Sequence, residues 1–176
     1  MTDPSMNPGR RNYRPFLRGL QLALRASVAA GVAIALAQLL GLPHPVYAFL
    51  AAVIVTDLAP SECRKLALHR LVATVVGAVC GALLTQLLPA GPLAIGFSIL
   101  VAMLACQLVQ VPDAAKVAGF ICGIIVLEDS AEPWLNAFFR FVETTLGVVV
   151  ALLVSYVPKL LNLDEPDEES VRQPAK

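Results

Sequence analysis

Gln38-Leu39-Leu40-Gly41-Leu42-Pro43 returns about seventy residues later as Gln107-Leu108-Val109-Gln110-Val111-Pro112. Two more landmarks follow in the same order at nearly the same offset. Ile54-Val55-Thr56-Asp57 is echoed by Ile125-Val126-Leu127-Glu128, and Arg70-x-x-x-Thr74-x-x-Gly77 by Arg140-x-x-x-Thr144-x-x-Gly147. Chance in apolar sequence matches Leu with Val but seldom Arg with Arg. The chain therefore reads as a duplication, with one unit over residues 17–88 and a second over 92–158.

Hydrophobic residues make up 57% of the chain and charged ones 15%, whereas an average soluble domain is about 45 to 50% apolar and about 25% charged. With a mean hydropathy of +0.73, the composition is that of a membrane protein. Its 176 residues break into apolar runs of about 14 to 23, enough for six crossings and too little for a separate soluble domain. The expected fold is an all-α integral membrane protein with six transmembrane helices. A unit of three spans is odd in number, so its second copy must sit upside down relative to the first. Two inverted three-helix repeats with short helices in corresponding places are a transporter architecture, with the substrate site where the repeats meet.

The charges are ordered although they sum to zero. Arg10, Arg11, Arg14 and Arg18 precede the first apolar run, and Asp164, Glu165, Asp167, Glu168 and Glu169 crowd the tail. Residues 1–16 read as a disordered basic arm and 159–176 as a disordered acidic tail. Such an arm serves membrane orientation, and no nucleic-acid partner is expected. Arg64, Lys65, Arg70, Lys116 and Lys159 fall on the same side as the arm, while the turns at Pro43 and Pro89 carry no base. Both termini are thus expected in the cytoplasm, at the cell (inner or plasma) membrane. Ala35-Leu36-Ala37 after a basic leader can mimic a cleavable signal. Arg25 interrupts the supposed apolar core, and the first landmark lies just beyond it.

The first span is expected over residues 19–42, ending in the turn Leu42-Pro43-His44-Pro45. The second run, 46–55, offers only about 10 to 13 apolar residues against the roughly 20 that a crossing needs. It must tilt, lean on neighbours or line a wet cavity. A polar, basic segment over 61–70 leads into a third span over 71–88, and a fourth follows over 93–109. The fifth, over 114–127, repeats the shortness of the second. An acidic loop, Glu128-Asp129-Ser130-Ala131-Glu132-Pro133, precedes the sixth over 137–157.

At about 100° per residue, Arg70, Thr74, Gly77 and Gly81 share one narrow helix face, as do Arg140, Thr144, Gly147 and Ala151. Gly77, Gly81, Gly147 and Ala151 read as helix-packing positions that let another backbone approach. The arginines are different, because a charge inside a span costs at least about 2.5 to 3.5 kcal/mol and normally meets a partner or an aqueous path. Snorkelling to the headgroups is the plainer alternative for Arg25 and Arg70. Glu143 stands three residues after Arg140 and can pair with it, as a structural ion pair or as a proton-coupling carboxylate. Asp57 and Glu128 end the two short helices at matching places, where they can cap loops or gate opposite ends of a path.

No signature of a hydrolase, zinc protease, P-loop or dinucleotide enzyme is present, so neither an enzyme nor a cofactor is expected. His44 and His69 lack metal-ligand company at suitable spacing, and no metal site is expected. Cys63, Cys80, Cys106 and Cys122 show no C-x-x-C spacing and read as small hydrophobes.

Residues 42–55, Leu42-Pro43-His44-Pro45-Val46-Tyr47-Ala48-Phe49-Leu50-Ala51-Ala52-Val53-Ile54-Val55, together with Arg70-x-x-x-Thr74-x-x-Gly77-x-x-x-Gly81, resemble the fusaric acid resistance protein-like (FUSC) membrane domain of the aromatic acid exporter superfamily. The likeness covers roughly residues 17–158 and includes an arginine early in the first span, here Arg25. It departs at Tyr47, near which the family often has a tryptophan, and at Ala73, where a glycine commonly precedes the threonine. The resemblance implies efflux of aromatic or other organic carboxylates, and it extends to the membrane part of plant malate channels. Larger members carry a cytoplasmic domain or double the six-span unit, which points here to a homo-oligomer. The expected partners are the lipid bilayer and a small organic anion, with Arg25, Arg70 and Arg140 attracting its carboxylate. Glu143, Asp57 and Glu128 are the coupling or gating candidates. A passive anion channel and a scaffold or partner subunit without flux are the alternatives.

Overall fold

The computed structural model describes residues 13–156, apart from Leu58, Ala90 and Asp129. They form six helices: α1 (Tyr13–Leu39), α2 (Val46–Val55), α3 (Pro60–Leu87), α4 (Pro92–Leu108), α5 (Ala115–Glu128) and α6 (Pro133–Tyr156). A short 3-10 turn, Pro112–Ala114, leads into α5. No strand occurs among the described residues. Helix α1 starts inside the segment expected to be a disordered arm, because Pro15 is tolerated in a first turn where its missing N–H has no partner to lose. The rest of that arm and the acidic tail lie outside the described residues.

The 61–70 segment is also helical and continuous with the third span. Pro60 starts α3 in the preferred first position for proline, and Lys65 and Glu62 pair at 2.9 Å across one turn of its exposed face. Proline likewise opens α4 and α6.

The repeated opening landmark is a helix stop. Gly41 has φ 64 and Gln110 has φ 61, the left-handed conformation that ends many helices. In the first copy Leu42 N donates to Ala37 O and Gly41 N to Gln38 O, each at 3.0 Å. In the second, Val111 N donates to Cys106 O and Gln110 N to Gln107 O, again at 3.0 Å. Leu42 and Val111 then fold back onto the core. Both are Schellman stops, in which the last carbonyls of the helix are satisfied before the chain turns.

Among the described residues three stretches are long and apolar enough to cross a membrane: Gly19–Leu39, Ser61–Leu87 and Pro133–Tyr156. Helices α2 and α4 are apolar but shorter. At 1.5 Å per residue α2 reaches only about 15 Å, half the hydrocarbon thickness. Burial against its neighbours holds it in place. Ala48, Ala51, Ala52 and Val55 are buried, packed with Ala29, Ala33 and Ala37 of α1 and with Val150 and Ala151 of α6. Leu20, Leu24, Val28, Val32 and Leu36 of α1 are exposed, at a four-residue spacing that turns one continuous apolar stripe outward.

Helices α3 and α6 pack together at the centre. The most extensive contacts of α3 beyond α6 are with α5, and those of α6 beyond α3 are with α2. Glycine makes both approaches possible. A Cβ on Gly77 would lie 2.5 Å from the Ala118 carbonyl oxygen, and one on Gly147 would collide with the Ala48 carbonyl. Gly81 sits less tightly, with a Cβ 2.9 Å from the Ile125 side chain, and Ala151 is buried against the cluster of Ala51 and Val55. Ala48 and Ala118 stand at the same offset as Gly77 and Gly147.

At one end of the bundle Arg64 of α3 stacks on the Tyr156 ring of α6, 5.6 Å to the centroid. Cys63 Sγ lies 3.3 Å from Ser155 Oγ at the same end. The α1–α2 turn and the α5–α6 loop form the opposite end. All four cysteines are free thiols, with Cys63, Cys106 and Cys122 buried and Cys80 half-buried.

Candidate functional site

Arg140 lies in the second turn of α6 and is 2% exposed. Its ion pair is with Glu128, the last residue of α5, through Nη2 and Oε1. The other oxygen of Glu128 accepts from Asn136 Nδ2 at 2.6 Å, one turn before Arg140 on the same helix. Beneath the guanidinium lies the ring of Tyr47, 3.4 Å to its centroid. A cation over an aromatic face gains about 2 kcal/mol or more when desolvated, so Tyr47 replaces part of the hydration that Arg140 loses.

The i+3 spacing suggests an ion pair between Arg140 and Glu143, but the carboxylate that Arg140 pairs with is Glu128. Glu143 is fully buried, and its Oε1 accepts from the backbone N–H of His44 at 2.7 Å. In Pro43-His44-Pro45 neither proline has an N–H, so His44 holds the turn's one donor. Glu143 satisfies it and ties α6 to the start of α2.

The cluster leaves several polar atoms without a partner. Nε and Nη1 of Arg140, Oε2 of Glu143, Oδ1 of Asn136, Nδ1 of His44 and Oγ of Ser130 are buried and make no hydrogen bond in the protein. Beside them opens a cavity of about 490 Å³, lined among others by His44, Glu128, Ser130, Asn136 and Phe139. Glu128 lines it, and Arg140, bonded to Glu128, does not.

Arg70 is elsewhere. One turn along its helix, Ala73 packs with Cys106, Ala114, Ala115 and Ala118, which sets Arg70 at the start of α5, whereas Arg140 meets its end. The two arginines therefore lie towards opposite ends of α5. Arg70 is 4% exposed, its Nε has no partner, and among the described residues no carboxylate lies within ion-pair distance of it. Thr74 donates back to the Arg70 carbonyl at 2.8 Å. Arg25 is half-buried on α1 and has an interaction of its own.

Asp57 and Glu128 part company. Asp57 Oδ1 accepts from Ala59 N at 3.1 Å and so closes the turn before α3. Of the six charged candidates, the structure brings together Arg140, Glu128 and Glu143. His44, Tyr47 and Asn136 join them, none of them a site candidate from the sequence. Asn136 could have been found, because it is four residues before Arg140 on one helix face. Tyr47 comes from a distant part of the chain, and only the α2–α6 contact reveals it.

An apolar helical bundle that holds buried arginines in its interior, with carboxylates beside a cavity at one end, is the build of a multi-pass membrane protein. The chain belongs to the fusaric acid resistance protein-like family of membrane transport proteins, whose model matches residues 32–154. That match runs from within α1 to the last turn of α6 and so takes in Arg70, Arg140, Glu128 and Glu143 alike. Neither the curated proteins nor the solved structures yield a match to the chain.

Proposed function

We propose that this protein exports aromatic or other organic carboxylate anions across the cell (inner) membrane, using two inverted three-helix repeats that cross it six times. The observation that carries the reading is a buried arginine at each end of α5, within a bundle whose surface is apolar. Guanidinium matches carboxylate geometry through two parallel hydrogen bonds, and a charge kept at such cost inside a membrane marks a solute path.

Several features support the inverted repeat. The two Schellman stops recur at the repeat offset, and so do the Gly77–Ala118 and Gly147–Ala48 approaches. Each pairs the third helix of one unit with the second helix of the other. Arg64 and Lys65 lie at one end and Glu128 and Glu132 at the other, which by the positive-inside rule favours cytoplasmic termini. In this reading Arg25, Arg70 and Arg140 attract the anion, Asp57 and Glu128 gate opposite ends, and the protein works as a homo-oligomer.

A passive channel is the second reading, favoured by one contact. Glu143 spends an oxygen on the His44 N–H, a structural task that needs no proton cycle. Glu143→Gln separates the two: an exporter coupled through Glu143 loses its proton dependence, and a channel keeps its flux. Loss of benzoate flux in Arg70→Gln, at unchanged folded yield, tests the arginine path, and full flux in that variant removes Arg70 from it.

A further inference from the structure

Arg140 has five N–H donors, and the Glu128 ion pair engages Nη2. Each carboxylate-binding edge of a guanidinium combines Nη2 with either Nε or Nη1, and both of these are buried without a partner. Buried unsatisfied donors are rare and ask for a reason. Glu128 does not use the edge that Arg140 offers.

Glu128 is also placed to leave. It ends α5, its side chain is 30% exposed, and it lines the cavity while bonded to Arg140, which is not among the lining residues. The cavity is of the size that small ligands occupy. Leu135, Phe139 and Pro43 give it apolar surface, while Asn136 and His44 add polar atoms.

We propose that this cavity is an anion site whose carboxylate position on Arg140 is filled by Glu128, and that an organic carboxylate binds by displacing that side chain. The inference deepens the transport reading and rests on it. Glu128 is a built-in competitor. When it holds Arg140 the guanidinium is closed to solute; when the solute carboxylate takes the bidentate edge, Glu128 turns to water with the end of α5. Asn136, which holds the second oxygen of Glu128, sets how readily it lets go. Tyr47 keeps the guanidinium plane fixed through the exchange and is a positioning residue.

The test is equilibrium binding of benzoate to the full chain in lipid nanodiscs, by calorimetry, for the parent, Glu128→Gln and Asn136→Ala. Removing an internal competitor should tighten benzoate binding at least tenfold in Glu128→Gln and two- to threefold in Asn136→Ala. Unchanged or weaker binding in folded Glu128→Gln overturns the proposal, as does the absence of benzoate binding in every form. Should Glu128→Gln not fold, Asn136→Ala decides alone, since affinity equal to the parent's means that Glu128 does not compete. Benzoate flux in proteoliposomes is read separately. Flux with no gain in affinity leaves the transport reading standing and sinks the competitor; tighter binding without flux does the reverse.

Discussion

Gly41 and Gln110 close two different helices with the same left-handed backbone, φ 64 and φ 61. Only the first is a glycine. A side chain in that conformation costs roughly 1 to 2 kcal/mol, part of which glycine returns as entropy lost on folding. Gln110→Gly is therefore expected to stabilise the protein by about 0.5 to 1 kcal/mol, and Gly41→Ala to destabilise it by about 1 kcal/mol. Denaturant unfolding in mixed micelles checks both signs, and a loss of stability in Gln110→Gly would show that its side chain does something the backbone does not reveal.

Gly147→Ala and Gly77→Ala place a methyl group against a backbone carbonyl, which cannot rotate away. Each should cost about 2 to 3 kcal/mol or force the helices apart. Gly31 is the control. Nothing lies within 4 Å of its Cβ position, so Gly31→Ala should be neutral or stabilising by up to about 1 kcal/mol. Thermal unfolding of the three variants side by side separates helix contact from helix propensity.

Tyr47→Phe keeps the ring under Arg140 and should change stability little, whereas Tyr47→Leu should lose about 1 to 2 kcal/mol. Equal losses in both would assign the role to the hydroxyl. Arg140→Gln also leaves Glu128 unpaired. Its cost should be about 2 kcal/mol, less than the 3 to 5 of a fully buried pair, because Glu128 can turn to water.

Much of the fold was legible in the chain. The landmark at 38–43 and its echo at 107–112 are the same helix stop, and the Gly-x-x-x-small faces are where the helices touch. Helix starts were read less well. The polar stretch 61–70 looks like a connection because charged residues fill it, yet Glu62, Arg64 and Lys65 sit on the exposed face of a continuous helix and Arg70 turns inward. The site was half visible. Arg140, Glu128 and Glu143 carry charge into an apolar chain and draw notice, but which of them pair depends on how α2, α5 and α6 converge. Spacing favoured Glu143 for Arg140, since no local pattern announces that a turn flanked by two prolines will claim that carboxylate.

The central claim is that arginines in this bundle carry a carboxylate across the membrane. The direct measurement is flux of labelled benzoate and of a small dicarboxylate through proteoliposomes, with and without an imposed pH gradient, beside Arg25→Gln. Uphill, gradient-dependent movement of at least one of these anions is expected, reduced at least tenfold in Arg25→Gln at equal folded yield. Flux in Arg25→Gln equal to the parent's, or no movement of either anion by folded protein, would contradict that claim.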